Sequence, residues 1–89
     1  MNTTLSSFNL DIGQKIRQKR LERNWTQSKL ANKLGITFQQ VQKYEKGTNG
    51  CSAYRIKELA DHLKVHVMYF YSYPITTKED DTNDKSSSR

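Results

Sequence analysis

Apolar residues return at helical spacing in four stretches of this chain, each preceded by a residue suited to start a helix. Asp11 is placed to cap a first helix over roughly Ile12 to Arg23, where Ile12 and Ile16 lie one turn apart and Arg20 continues their stripe. Asn24 suits the left-handed position that stops a helix, and Trp25 then packs inward. Thr26 caps a second helix, Gln27 to Leu34, with Leu30, Ala31 and Leu34 on its inner face. Gly35 ends it, and Ile36 packs inward. Thr37 caps a third helix, Phe38 to Lys46, and Gln40 completes a Thr-x-x-Gln capping box. Its inner face is Val41, Tyr44 and Glu45. Ser52 caps a fourth helix, about Ala53 to Leu63, directed inward by Ile56, Leu59, Ala60 and Leu63. A short apolar and aromatic fifth helix follows, about His66 to Tyr71.

The flanks lack this periodicity. Met1 to Leu10 reads as a flexible N-terminal arm, and residues 74–89, from Pro74 onward, read as a disordered polar tail. The folded unit is therefore predicted over residues 11–73, as an all-α domain of five helices. Each helix is too short to be stable alone, so packing of the apolar stripes must hold them together.

Charge sharpens the picture. The formal net charge is +6, and up to Tyr73 there are 12 basic against 5 acidic side chains, whereas the remainder holds 3 against 4. The positive excess thus belongs to the predicted domain. A compact basic domain attracts polyanions, nucleic acid foremost, although the same charge also serves as a solubilising surface. No stretch approaches the length of a membrane span, and no apolar signal segment follows the N-terminus, so a cytoplasmic location is expected. The single cysteine, Cys51, cannot form an internal disulfide, which suits a reducing compartment.

The second and third predicted helices, joined by a three-residue turn, meet the demands of a helix-turn-helix. Ala31 is small where the helices cross. Gly35 tolerates positive φ in the turn. Val41 presents an apolar side chain back to the first member of the pair. With these features the stretch from Ile12 to Ser72, including "TQSKLANKLG" (Thr26–Gly35) and "YEKG" (Tyr44–Gly47), resembles the lambda-repressor and Cro-like family, also called the Xre family, of bacterial and phage regulators. Asn24 and Trp25 depart from the Gly and Leu common in that family, and Lys19 stands where an apolar residue is frequent.

The resemblance implies a sequence-specific, double-stranded-DNA-binding transcriptional regulator, acting as a dimeric repressor on an inverted-repeat operator, with no cofactor. It also implies that Arg20 pairs with Glu45. The third helix becomes the recognition helix in the major groove. Gln39 and Lys43, four residues apart, are then the expected base readers, with Thr37 as both cap and contact and Gln40 shared between cap and DNA. Phe38 either covers the junction of the second and third helices or offers its ring to a thymine methyl or a sugar. Phosphate contacts are expected from Thr26, Gln27, Gln42, Lys46, Thr48, Asn49 and Ser52, with Arg17 and Arg55 as weaker candidates. A homodimer seam is expected at His66, Met68, Tyr69 and Tyr71, with Val65, Val67 and Phe70 in the core.

Other chemistry finds little support. His62 and His66 have metal-ligand spacing, but a helix break at Lys64–Val65 is expected between them and no third ligand is evident. No nucleophile–base constellation, paired-carboxylate cleft or phosphate-cradling glycine loop occurs, so neither enzymatic activity nor a small-molecule ligand is expected. A protein-interaction module on the same fold, such as an antitoxin, is the alternative function.

Overall fold

A computed structural model describes residues 3–72, with side chains from Thr4 onward. The described residues form four α-helices: α1 (Thr3–Glu22), α2 (Gln27–Leu34), α3 (Phe38–Lys46) and α4 (Ala53–Leu63). A 3₁₀ helix, Val67–Tyr71, closes the described part. The expected fifth α-helix is thus a single tight element. Tyr69 N–H donates to the His66 carbonyl at 2.9 Å, an i to i−3 bond, and the His66 ring accepts from Met68 N–H at 3.1 Å. The predicted tail lies outside the described residues.

The inner three α-helices form for local reasons. Thr26, Thr37 and Ser52 each adopt extended backbone, and each hydroxyl accepts from the backbone N–H three residues on, at 3.0–3.1 Å. Gly35 and Gly47 end α2 and α3 at φ of 70° and 76°. Asn24 and Lys64 take the same left-handed conformation at the ends of α1 and α4. Gly35 is required for φ alone, because a Cβ there would meet nothing within 4 Å.

The first helix differs from expectation. Residues assigned to an arm continue the helix, and Asp11 lies inside it rather than capping it. Tertiary contact, not local sequence, supports this extension. The Phe8 ring stacks on Tyr71, with centroids 6.3 Å apart. The Leu10 backbone passes so close to Gly47 that a Cβ at residue 47 would lie 2.8 Å from the Leu10 Cα. One turn further on, a Cβ at Gly13 would lie 2.6 Å from the Glu45 carbonyl oxygen and would also overlap that of Tyr44. α1 therefore crosses the C-terminal end of α3 almost backbone to backbone.

The core joins all the elements. Ile12 and Ile16 of α1 meet Leu30, Ala31 and Leu34 of α2, Val41 and Tyr44 of α3, Ile56, Leu59, Ala60 and Leu63 of α4, and Phe70. Trp25, Ile36, Cys51, Val65 and Tyr69 pack on its margin.

Lys15 is only 1% exposed. Its ammonium bonds Asp11 and the Ser72 carbonyl, both at 2.9 Å, and lies 5.8 Å from the Tyr69 ring centroid. A buried charge persists only with partners of this kind. Here they tie the end of the 3₁₀ helix to α1. Lys19, the departure from family habit, places its ammonium 4.9 Å from the same ring centroid and pairs with Glu22 at 3.2 Å. Tyr69 is drawn inward by these cations and by its edge contact with Phe70. Tyr69, expected at the dimer seam, is thus half-buried, while Val67, expected in the core, is 37% exposed.

Candidate nucleic-acid interface

Arg20 and Glu45 determine how α3 is presented. Arg20 Nε donates to Glu45 Oε2 at 2.7 Å, and Nη2 donates to Oε1 at 3.0 Å. The remaining nitrogen, Nη1, donates to the Trp25 carbonyl at 2.7 Å. Both side chains are buried. The pair implied by the family resemblance is present, and it joins α1, the α1–α2 corner and the end of α3.

Gln27 completes this network. Its amide donates to Glu45 Oε1 at 3.0 Å and adds α2 to the same carboxylate. That bond uses one N–H of the Gln27 amide, and the side chain, expected to touch a phosphate, stays half-buried at the start of α2. Sequence spacing offered no sign of this bond, because its partner lies 18 residues away.

With its inner side held, α3 turns Gln39, Lys43 and Lys46 outward as one exposed stripe at helical spacing. Thr37 is exposed at the head of the helix, and Gln40 and Gln42 are half-buried at its flanks. Thr37 makes the cap bond to Gln40 N–H, but among the described residues the Gln40 amide does not return the bond. The capping box is therefore half made. Phe38 is 39% exposed at the start of α3.

Thr26, Thr48, Asn49, Ser52 and Lys46 are all exposed. The loop holding Thr48 and Asn49 is anchored by N–H bonds of both residues to the Lys43 carbonyl, at 3.0 and 3.4 Å. Arg17 is exposed on α1. Arg55 is engaged elsewhere, donating to the Tyr44 hydroxyl at 3.2 Å and to Glu58 at 2.6 Å.

Tyr54 was missed by sequence reasoning. It stands two residues past the Ser52 cap and is 68% exposed, more than any other large apolar side chain described. Its signal was available, since it falls off the Ile56–Leu59–Leu63 stripe.

The leftover chemistry is quiet. Burial pushes the Cys51 thiol from an ordinary value near 9.0 up to about 11, against the pull of the nearby Arg55 charge. His62 and His66 are separated by the left-handed Lys64, and the His66 ring already accepts a backbone bond. Two open surface concavities of about 500 Å³ are lined by α1 residues in one case and by Thr26 and α2 residues in the other. Among the described residues no helix is long and apolar enough to cross a membrane.

The helix-turn-helix family profile matches residues 16–70, more than half of the chain. A protein of Sinorhizobium fredii named as an HTH-type transcriptional regulator is 44% identical over 66 residues, covering 74% of this chain and 46% of its own length. A Rhodospirillum rubrum protein, named as a transcriptional regulator in the ATPase CF(0) region, is 41% identical over 69 residues, covering 78% of this chain and 64% of its own. An HTH-type transcriptional regulator of Sinorhizobium medicae is 44% identical over 64 residues, covering 72% of this chain and 46% of its own. The chain thus spans less than two thirds of the length of these relatives. The shared segment contains α2, the turn, α3 and the buried pair that fixes them, and the chain belongs to the lambda-repressor-like, or Xre, helix-turn-helix family.

Proposed function

We propose that this chain is the DNA-binding unit of a transcriptional regulator, and that it places α3 in the major groove of double-stranded DNA. The observation that carries this reading is the exposed Gln39–Lys43–Lys46 stripe on a helix locked from behind by the Arg20–Glu45 pair. An α-helix fits the major groove, where Gln can pair with adenine and Lys can reach guanine. Gln39 and Lys43 read bases, with Thr37, Phe38 and Gln40 beside them at the leading end. Thr26, Gln42, Lys46, Thr48, Asn49 and Ser52 hold phosphates and so set register without reading sequence.

The regulator acts as a homodimer on an inverted repeat, and as a repressor. Met68 is 59% exposed, and His66 and Tyr71 are exposed beside it. The Phe8–Tyr71 stack adds α1 to this edge. Two copies joined there would carry two α3 helices, as recognition of an inverted repeat requires. Selection of bound sequences from a random duplex pool tests the whole reading. An enriched inverted repeat is expected. A pool without enrichment sinks it and turns attention to a protein partner, as in an antitoxin.

A further inference from the structure

Trp25, the only tryptophan of the chain, sits at the corner between α1 and α2 with three cations around its ring. The Arg23 guanidinium carbon lies 5.1 Å from the ring centroid, and the ammonium groups of Lys29 and Lys33 lie at 5.9 and 5.0 Å. All three cationic residues are exposed. Among the described residues none of the three is in an ion pair, although five such pairs form elsewhere.

This arrangement is costly in the isolated domain. Lys29 and Lys33 stand four apart on α2, where like charges repel, and Arg23 adds a third charge. The indole face offsets part of the repulsion. An anion would offset more. A concavity of about 500 Å³ adjoins the cluster, lined by Lys29 and Lys33 together with the neutral hydrogen-bonding side chains of Thr26, Ser28 and Asn32.

We infer that the Arg23–Lys29–Lys33 cluster around Trp25 is a second phosphate clamp, holding the duplex backbone beyond the segment read by α3. This rests on the DNA reading proposed above. Continuity with that surface favours DNA as the occupant. Thr26 lines the concavity and is also the cap of α2, and the first N–H groups of a helix suit a phosphate. The clamp carries no base preference, so it adds affinity and salt sensitivity to every sequence alike.

The test compares the full chain with its Arg23→Gln/Lys29→Gln/Lys33→Gln variant on operator duplexes at several salt concentrations. Each lost phosphate contact lowers the slope of log affinity against log salt by about 0.9. Losing two or three contacts therefore shrinks the affinity drop over a fourfold rise in salt by roughly 10- to 40-fold. A charge-keeping Arg23→Lys/Lys29→Arg/Lys33→Arg variant should hold the wild-type slope. Trimming the duplex at its outer end should weaken the wild type but not the neutralised variant. Trp25 emission, a sole reporter, should change when the long duplex binds and not when the trimmed one does. If the neutralised variant binds with wild-type slope and wild-type sensitivity to trimming, the clamp is overturned while the reading of α3 stands. If the wild type binds no duplex at any salt, the DNA reading itself is overturned.

Discussion

Two hydrogen bonds, of 2.7 and 3.0 Å, hold the Arg20 guanidinium against the Glu45 carboxylate inside the domain. The pair brings the end of α1 to the end of α3, and the Trp25 carbonyl and the Gln27 amide satisfy atoms that remain. Such a pair contributes less to net stability than to geometry, but removing one partner strands a buried charge at a cost of about 3–5 kcal/mol. Glu45→Ala should therefore lower the melting temperature by more than about 10 °C, given about 4–8 °C per kcal/mol in domains of this size. Thermal denaturation followed by circular dichroism checks it. An unchanged melting temperature would refute the pair's structural role.

Gln39 and Lys46 occupy the same stripe but should fail differently. Gln39→Ala should relax base preference at one operator position, removing about 1–3 kcal/mol of discrimination. Lys46→Ala should weaken all sequences alike and flatten the salt dependence. Binding across a panel of operator mutants separates the two. Identical loss profiles would contradict the division between reading and holding.

Phe38 is partly exposed at the head of α3, so its ring edge can pack on the domain while a face meets DNA. A Phe38→Ala protein that keeps its melting temperature should lose preference for thymine at the facing position, through the lost contact with the methyl group. Retained preference would reduce Phe38 to a cover for the α2–α3 junction.

The exposed edge of Met68, Tyr71 and Phe8 should mediate self-association. Sedimentation at micromolar concentration is expected to show a dimer that Met68→Glu converts to monomer. A wild-type protein that stays monomeric with and without operator DNA rules against this seam.

Cys51 should be a slow thiol. With its folded value raised to about 11, only a minor thiolate fraction exists near neutrality, and the thiolate is the reactive form. Alkylation at neutral pH should accelerate strongly on unfolding. The linkage has a definite sign: because folding raises this value, the associated stability is present below the unfolded value and is lost as pH rises from about 9 through about 11. Alkylation of the folded protein as fast as the unfolded one would show that burial does not protect the thiol.

The local pattern was enough for α2, α3 and α4. Their bounds follow from capping hydroxyls at Thr26, Thr37 and Ser52, left-handed stops at Gly35 and Gly47, and apolar residues every three to four positions. Those signals act within one helix, so they are written in adjacent residues. The outward phase of Gln39, Lys43 and Lys46 comes from the same periodicity, and the family resemblance added the Arg20–Glu45 pair.

Only the tertiary structure decided the rest. Residues 3–11 carry no clear stripe, yet they are helical because α1 continues along Gly47 and the Phe8 ring reaches Tyr71. Lys15 looks like a surface lysine in the sequence, but the Ser72 carbonyl, 57 residues away, receives its ammonium in the interior. Gln27 turns inward to a carboxylate on another helix, and Tyr69 takes the inner place expected of Val67. Each of these outcomes depends on groups distant in the chain, whose attraction, repulsion and burial are defined only once the helices have packed.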